Sequence, residues 1–309
     1  MSRAQIDFGP SLREYSKSDW CAELAELVED DGMFQRLGKR HMAVFTEHGR
    51  TLLVSFESIQ GIFALSPKAH PMGWTCAETA GWSSLTLISD GDTWFRNPAV
   101  YAYFDHLVDD GFFDDFDRVL FYGAGPCGYA AAAFSVVSPG ARVLAIQPQA
   151  TLDVNRAEWD KRFPEQRRVN FTDRFGYAPD MLEAARAAYV IYDPMQLEDA
   201  MHASLFSGPN ALRLRMPHMG ATLQTDLMGM GILYDLLDYA MLDRLSVSEF
   251  AHIARARRNH LPYLKRLLAY LDAQDRPDLI RLLCHNVSAR MRAPVFANRL
   301  ERLSTDVDA

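Results

Sequence analysis

Three glycines, Gly123, Gly125 and Gly128, pose the chemical question in this chain. They follow an apolar run and precede a run of alanines, and their spacing suits two kinds of site. One is the dinucleotide cradle G-x-G-x-x-G, whose glycines let the backbone approach a pyrophosphate closely. The other is the nucleophile elbow G-x-S-x-G, matched here only in shape because Gly125 stands where the attacking side chain belongs. Further along, Asp193 ends the apolar run 188–192, and His218 follows the alternating run 210–216. An elbow, then an acid, then a histidine is one of the chain orders in which a Ser-His-acid triad for acyl transfer is assembled. Cys127 is the nucleophilic atom nearest the turn. An elbow presents one side chain to the reacting centre, so Cys127 is expected to face elsewhere, as a small buried thiol.

The elements that must hold these residues read as a strand at 119–122, a glycine turn and a helix through Ala130 to Ala133. A Ser138-Pro-Gly140 turn and a second strand at 141–146 complete the unit. Short apolar runs of this kind fill the middle of a parallel sheet, and their crossovers are right-handed. Further strands are expected at 42–45, 51–56, 84–88, 188–192 and 210–216. The first two are read as a hairpin through Glu47-His-Gly-Arg50, with a loop at 56–62 and irregular chain over 64–82. The fold class is therefore α/β, a mostly parallel sheet with helices on both faces and a helical C-terminal cap. Three segments follow: residues 1–40 as an N-terminal helical segment, 41–245 as the α/β domain, and 246–309 as a helical extension. Residues 262–283 read as two helices joined by a short turn.

For a dinucleotide, the second strand should end near a carboxylate for the ribose hydroxyls. Here it ends Ile146-Gln-Pro-Gln149, with no acid before Asp153. A SAM site lacks the same acid. A Rossmann-like nucleotide or SAM enzyme built on Gly123, Gly125 and Gly128 stays as the alternative; under the elbow reading no cofactor is expected.

The elbow, Tyr122-Gly-Ala-Gly-Pro-Cys-Gly-Tyr-Ala-Ala131, resembles the Tyr-Gly-Ser-Ser-Met-Gly-Gly-Tyr-Ala-Ala elbow of α/β-hydrolase-like proteins of bacterial surface-polysaccharide and accessory-secretion loci. Gln147-Pro-Gln149 resembles their Ser-Pro-Gln strand end, and Ser89-Asp90 with Trp94-Phe95, Tyr192-Asp-Pro194 and His202-Ala203 extend the likeness over residues 40–235. The resemblance implies an α/β-hydrolase-like fold, a small-molecule, acyl or glycan ligand and a surface-glycan or secretion pathway. It also implies a histidine after the last strand, where this chain has Ala221 following Gly220. With Gly125 and Ala221 at two triad positions, the expectation is a protein without the usual triad chemistry. Asp193, His218 and Cys127 would carry any catalysis that remains.

Composition narrows the partners. A net charge of −8 argues against nucleic acid or an anionic membrane, and no run is long enough to span a bilayer. Cys21, Cys76, Cys127 and Cys284 are scattered without a C-x-x-C pair, which suggests reduced thiols and a cytoplasmic setting. Asp90 and Asp92 read as turn residues rather than metal ligands, and the Met-rich stretch 222–242 as packing. The helical extension is the candidate surface for a protein partner.

Overall fold

The computed structural model describes residues 9–29 and 32–305. Its strands are β1 Gly32–Leu37, β2 His41–Thr46, β3 Thr51–Ser58, β4 Ser83–Ser89, β5 Arg118–Ala124, β6 Arg142–Ile146, β7 Ala187–Tyr192 and β8 Ala211–Arg215. The helices up to the middle of the chain are α1 Lys17–Leu27, α2 Ile59–Leu65, α3 Met72–Ala80, α4 Pro98–Asp109, α5 Pro126–Phe134, α6 Val154–Ala157 and α7 Ala178–Met181. The remainder are α8 Leu197–Leu205, α9 Leu223–Gly229, α10 Leu233–Met241, α11 Val247–Ile253, α12 Leu261–Ala273, α13 Pro277–Arg290 and α14 Pro294–Thr305.

All eight strands join one sheet in the order β1-β2-β4-β3-β5-β6-β7-β8. The β1/β2 and β2/β4 pairs are antiparallel and every pair from β4/β3 to β7/β8 is parallel. This is an α/β-hydrolase-like fold with a helical C-terminal region.

The central strands are buried on both faces because both are roofed by helices. Alternation along them sorts side chains into two cores. Val119 and Phe121 of β5 and Val143 and Ala145 of β6 enter one core, with Tyr103 and Phe104 of α4 and Tyr129 to Phe134 of α5. Leu120 and Tyr122 of β5 and Leu144 and Ile146 of β6 enter the other, with α9 and α10. Ala130, Ala131, Ala132 and Ala133 are each fully buried, so α5 lies flat against the sheet where bulkier residues would hold it off. Phe134 ends it inside an aromatic group, with ring centroids 4.8 Å from Phe104, 5.7 Å from Phe56 and 4.7 Å from Phe175. Such pairs contribute about 0.5–1.5 kcal/mol each beyond their burial.

Several local expectations change. Residues 32–37, expected within a helical N-terminal segment, form β1, which alternates side chains across an edge of the sheet. β2 and β3 do not pair as a hairpin, because β4 lies between them. All seven β4 residues are buried, so this strand needs partners on both edges. The 47–50 link wraps around its first residue: Ser83 Oγ accepts the N–H groups of His48 and Gly49 at 3.0 and 3.1 Å and donates to the Gly49 carbonyl at 2.7 Å. The loop expected at 56–62 is instead the end of β3 and the start of α2, which is capped by Ser58 Oγ accepting the Gly61 N–H at 3.0 Å. Nearly half of the irregular stretch 64–82 is α3, whose first amides are held by Glu57.

The C-terminal helices have a core of their own, with Leu264, Leu268, Ile280, Cys284, Val287 and Phe296 buried together. They are also tied to the sheet domain. Buried Asp226 of α9 accepts from His260 at 2.7 Å and pairs with Arg266 of α12 at 2.9 Å.

Candidate site at the carboxyl edge of the sheet

The elbow is present as backbone. Gly125 stands between β5 and α5 with φ 56° and ψ −124°, a conformation that side-chain-bearing residues rarely adopt and that strains a nucleophile at such a turn. Its own groups are taken: its N–H donates to the Ile146 carbonyl at 2.8 Å and its carbonyl accepts from the Tyr129 N–H at 3.0 Å. A Cβ at 125 would have nothing within 4 Å, so the nucleophile position opens into free space. The next residue, Pro126, is the first of the helix and has no N–H. In an elbow the N–H of the residue after the nucleophile is one of the two oxyanion donors, so this turn lacks that donor as well.

The other two glycines are accounted for by packing. A Cβ on Gly123 would lie 2.2 Å from the Cys127 carbonyl oxygen. One on Gly128 would lie 3.1 Å from the Ile146 carbonyl oxygen and 3.2 Å from that of Gly123. At Gly123 strand and helix meet too closely for any side chain, and at Gly128 a Cβ would make a tight contact that its neighbours would have to yield to.

Asp193 at the end of β7 is fully buried and its carboxylate is occupied by backbone. One oxygen accepts the N–H groups of Met195 at 2.8 Å and His218 at 3.1 Å, and the other accepts that of Gly220 at 2.6 Å. His218, at φ 66°, meets Asp193 through its amide, not its ring. The imidazole packs on Tyr270 of α12, with centroids 4.5 Å apart. Ala221 lines the pocket above the elbow at the position where the resemblance implies a histidine.

A buried polar network adjoins the turn. Gln147, at φ 47°, donates to Asp199 at 2.6 Å and to the Gly220 carbonyl at 3.2 Å, and accepts the Leu223 N–H at 3.0 Å. Asp199 accepts from Arg162 at 2.6 Å, and Arg162 also grips Asp160 through Nε and one terminal nitrogen. His202 completes it: Nδ1 accepts the Ala150 N–H at 3.1 Å, so Nε2 carries the proton and donates to Asp160 at 2.9 Å. Burial holds His202 below the usual histidine range, and hydrogen bonds from His202 and Arg162 outweigh burial to hold the Asp160 carboxyl well below the carboxylate range. With both ring nitrogens engaged, His202 has no lone pair to offer a substrate.

Two cavities flank the turn and share Ala124, Pro126 and Gln224 in their walls. The larger, about 340 Å³, is lined by Gly125, Gln147, Gln149, Arg162, Phe163 and Asp199 among others. The smaller, about 90 Å³, contains Glu57, Asp92, Met72 and Cys127. Cys127 thus borders a cavity beside the elbow, with its thiol pushed far up by desolvation and further by Glu57 and Asp92, the opposite of what activates a thiolate. Glu57 is also pushed up by burial, although its oxygens accept the Met72 and Gly73 N–H groups at 2.8 and 2.7 Å. Among the described residues, no group of three or more His, Cys, Asp or Glu could hold a metal ion, and no helix is long and apolar enough to cross a membrane.

Comparison with known proteins finds likeness only at the level of solved structures. No family model and no curated protein sequence matches the chain. Carboxyl esterase 2 from the mycorrhizal fungus Tuber melanosporum is 16% identical over 70% of this chain and 87% of its own, with a TM-score of 0.44. The HSL-homolog EstE7 from a metagenome library is 15% identical over 76% and 95%, at 0.48. The Glycosylation Associate Protein (Gap123) complex from Streptococcus agalactiae is 12% identical over 70% of this chain and 47% of that chain, at 0.44. The architecture stands on its own strand order and elbow geometry.

Sequence reasoning located the turn and its glycines. It passed over Pro126, although the absence of an N–H there is legible in the sequence alone. It also passed over Glu57 and Arg162. Glu57 stands out as an acid inside an apolar strand. Arg162, in a polar stretch without periodicity, gives no such signal.

Proposed function

We propose that this chain is an α/β-hydrolase-like protein that binds a small ligand at its elbow without hydrolysing or acylating it. The pair Gly125-Pro126 carries this reading, because it removes the attacking atom and one oxyanion donor at adjacent positions. Two further observations support it. The Asp193 carboxylate is committed to three backbone amides, and no imidazole among the described residues is hydrogen-bonded to it. The nearest nucleophile, Cys127, is held in its unreactive thiol form.

The kept backbone turn, the open space above Gly125 and a cavity within the size range of small-molecule sites favour binding over a purely structural role. A place in a bacterial surface-glycan or secretion pathway rests on the motif resemblance over residues 40–235 alone, and a cytoplasmic setting on the scattered cysteines. A partner seated on the helical extension is the accompanying proposal. Gly123 and Gly128 are explained by helix–strand packing, and nothing at the turn favours a nucleotide.

The test is steady-state hydrolysis of p-nitrophenyl acetate and butyrate by the purified chain. The expected rate equals that of buffer with an equal mass of serum albumin. Saturable turnover above that background overturns the reading.

A further inference from the structure

The larger cavity has a chemical bias that follows from its charges. Among the described residues, its only charged lining side chains are Arg162 and Asp199, paired with each other at 2.6 Å. Behind them stands Asp160, fully buried in its side chain and also on Arg162 at 2.8 Å, while His202 is the neutral Nε2–H tautomer. The smaller cavity adds two more acids, Glu57 and Asp92, and no cation among the described residues. The joint site therefore has no uncompensated positive charge. A phosphate or carboxylate ligand would have to enter against a local excess of carboxylates in a partly desolvated place.

The unused hydrogen-bonding capacity is of both kinds. A guanidinium has five N–H groups. Arg162 spends Nε–H and one N–H on Asp160 and one on Asp199, which leaves one on each terminal nitrogen without a protein partner among the described residues. Its side chain is 33% exposed, and the head lies over the Phe163 ring, 5.3 Å from the centroid. The ring itself is braced edge-on by Trp94 at 4.9 Å. Each Asp199 oxygen accepts one side-chain hydrogen bond and retains a lone pair. Gln149, held by Trp94 Nε1–H at 3.1 Å, adds a carboxamide to the wall, and Thr222 and Thr225 add hydroxyls at the rim. Fixed donors and fixed acceptors side by side are matched by a group that is both at once, which is a hydroxyl.

We infer that the cavity above Gly125 takes an uncharged, hydroxyl-rich small molecule, with Arg162 and Asp199 as the fork that reads adjacent hydroxyls. This rests on the reading of the elbow as a non-hydrolytic binding turn and names the ligand class for it. Asp160 and Gln147 are positioning residues, since they orient Arg162 and Asp199 from behind.

Calorimetric titration of the full chain compares probes that share one ring and differ in charge: glucose, N-acetylglucosamine, glucuronate and glucose 6-phosphate. The expected result is saturable binding of at least one neutral member with Kd below 10 mM, and at least tenfold weaker binding of both anions. Arg162→Lys keeps the charge against Asp160 and Asp199 but loses the fork, and is expected to weaken the neutral ligand at least tenfold with thermal unfolding still cooperative. Arg162→Met serves if the lysine variant does not fold, with the same expected loss. Anions that bind as well as the neutral probes overturn the inference, as does saturation of no neutral probe or an Arg162 variant that binds unchanged. Those outcomes leave the absence of ester hydrolysis untouched, so the ligand class fails separately from the non-hydrolytic reading.

Discussion

The Asp193 carboxylate accepts the Gly220 N–H at 2.6 Å, joining the end of β7 to the loop after β8. An acid placed for a catalytic triad would face an imidazole. This one closes a backbone turn, and the same loop is gripped on its other side by Gln147 at the Gly220 carbonyl. Arg266 of α12 packs against Gly220 closely enough that a Cβ there would lie 3.2 Å from its Nε. Sheet, loop and C-terminal helices thus meet at one residue.

Asp193→Asn tests the clamp. The carboxamide keeps the volume but turns an NH₂ toward amide donors, and orphaned buried donors cost about 1–3 kcal/mol each. The expected loss of stability is about 2–4 kcal/mol by urea denaturation, with faster amide exchange across 216–222. A loss under about 0.5 kcal/mol would mean that the three hydrogen bonds do not hold the loop.

Gly125→Ala separates strain from crowding. No atom stands within 4 Å of the new Cβ, so any loss comes from φ 56° and ψ −124°. The expected cost is about 1–3 kcal/mol with an unchanged denaturant slope. A neutral or stabilising effect would contradict the strained-elbow geometry.

His41 supplies a pH signature. It is buried on the Phe95 ring, with Nε2 2.8 Å from Thr93 Oγ1, and burial, aided by Arg40, lowers its pKa to about 4. A histidine lowered in this way takes up a proton more readily unfolded than folded. Stability is therefore complete above the unfolded pKa near 6.5 and drains away as pH falls toward 4, by roughly 3 kcal/mol for this residue. His70 and His202 are lowered by burial too and act in the same direction. Unfolding free energies from urea titrations at pH 7.5, 6, 5 and 4 are expected to fall steadily in the wild type, and by roughly 3 kcal/mol less in His41→Gln. Parallel curves for the two proteins would rule out His41 as a source of the acid sensitivity.

The link between α9 and the C-terminal helices rests on Asp226, with His260 and Arg266 as its partners. Asp226→Asn removes the buried charge from between them and is expected to cost about 2–3 kcal/mol, less than a fully buried pair because Arg266 is partly exposed. Limited trypsin digestion is expected to cut within 246–305 sooner than in the wild type. An unchanged digestion pattern would show that the apolar contacts alone hold these helices.

The legible parts of this chain were those where local pattern and final position agree. Apolar runs at 119–122, 141–146 and 188–192 became β5, β6 and β7 because strands roofed on both faces advertise themselves. The glycine turn was legible because its spacing is forced by close approach of strand and helix. The hairpin at 42–56 failed because neighbouring strands were paired by turn chemistry, while β4, from much further along the chain, lies between β2 and β3 and its Ser83 holds the 47–50 link. The network of Arg162, Asp199 and Asp160 was not legible at all. Its members come from an irregular stretch and from α8, and only the fold brings them together.

The most direct test of the non-hydrolytic elbow is intact-protein mass spectrometry after incubation with an alkyl fluorophosphonate, applied to the wild type and to Gly125→Ser. The account predicts no adduct on either protein. The wild type offers no activated nucleophile, and a serine at 125 would find no histidine base and no N–H on Pro126. A stoichiometric mass increase on the wild type would contradict the account.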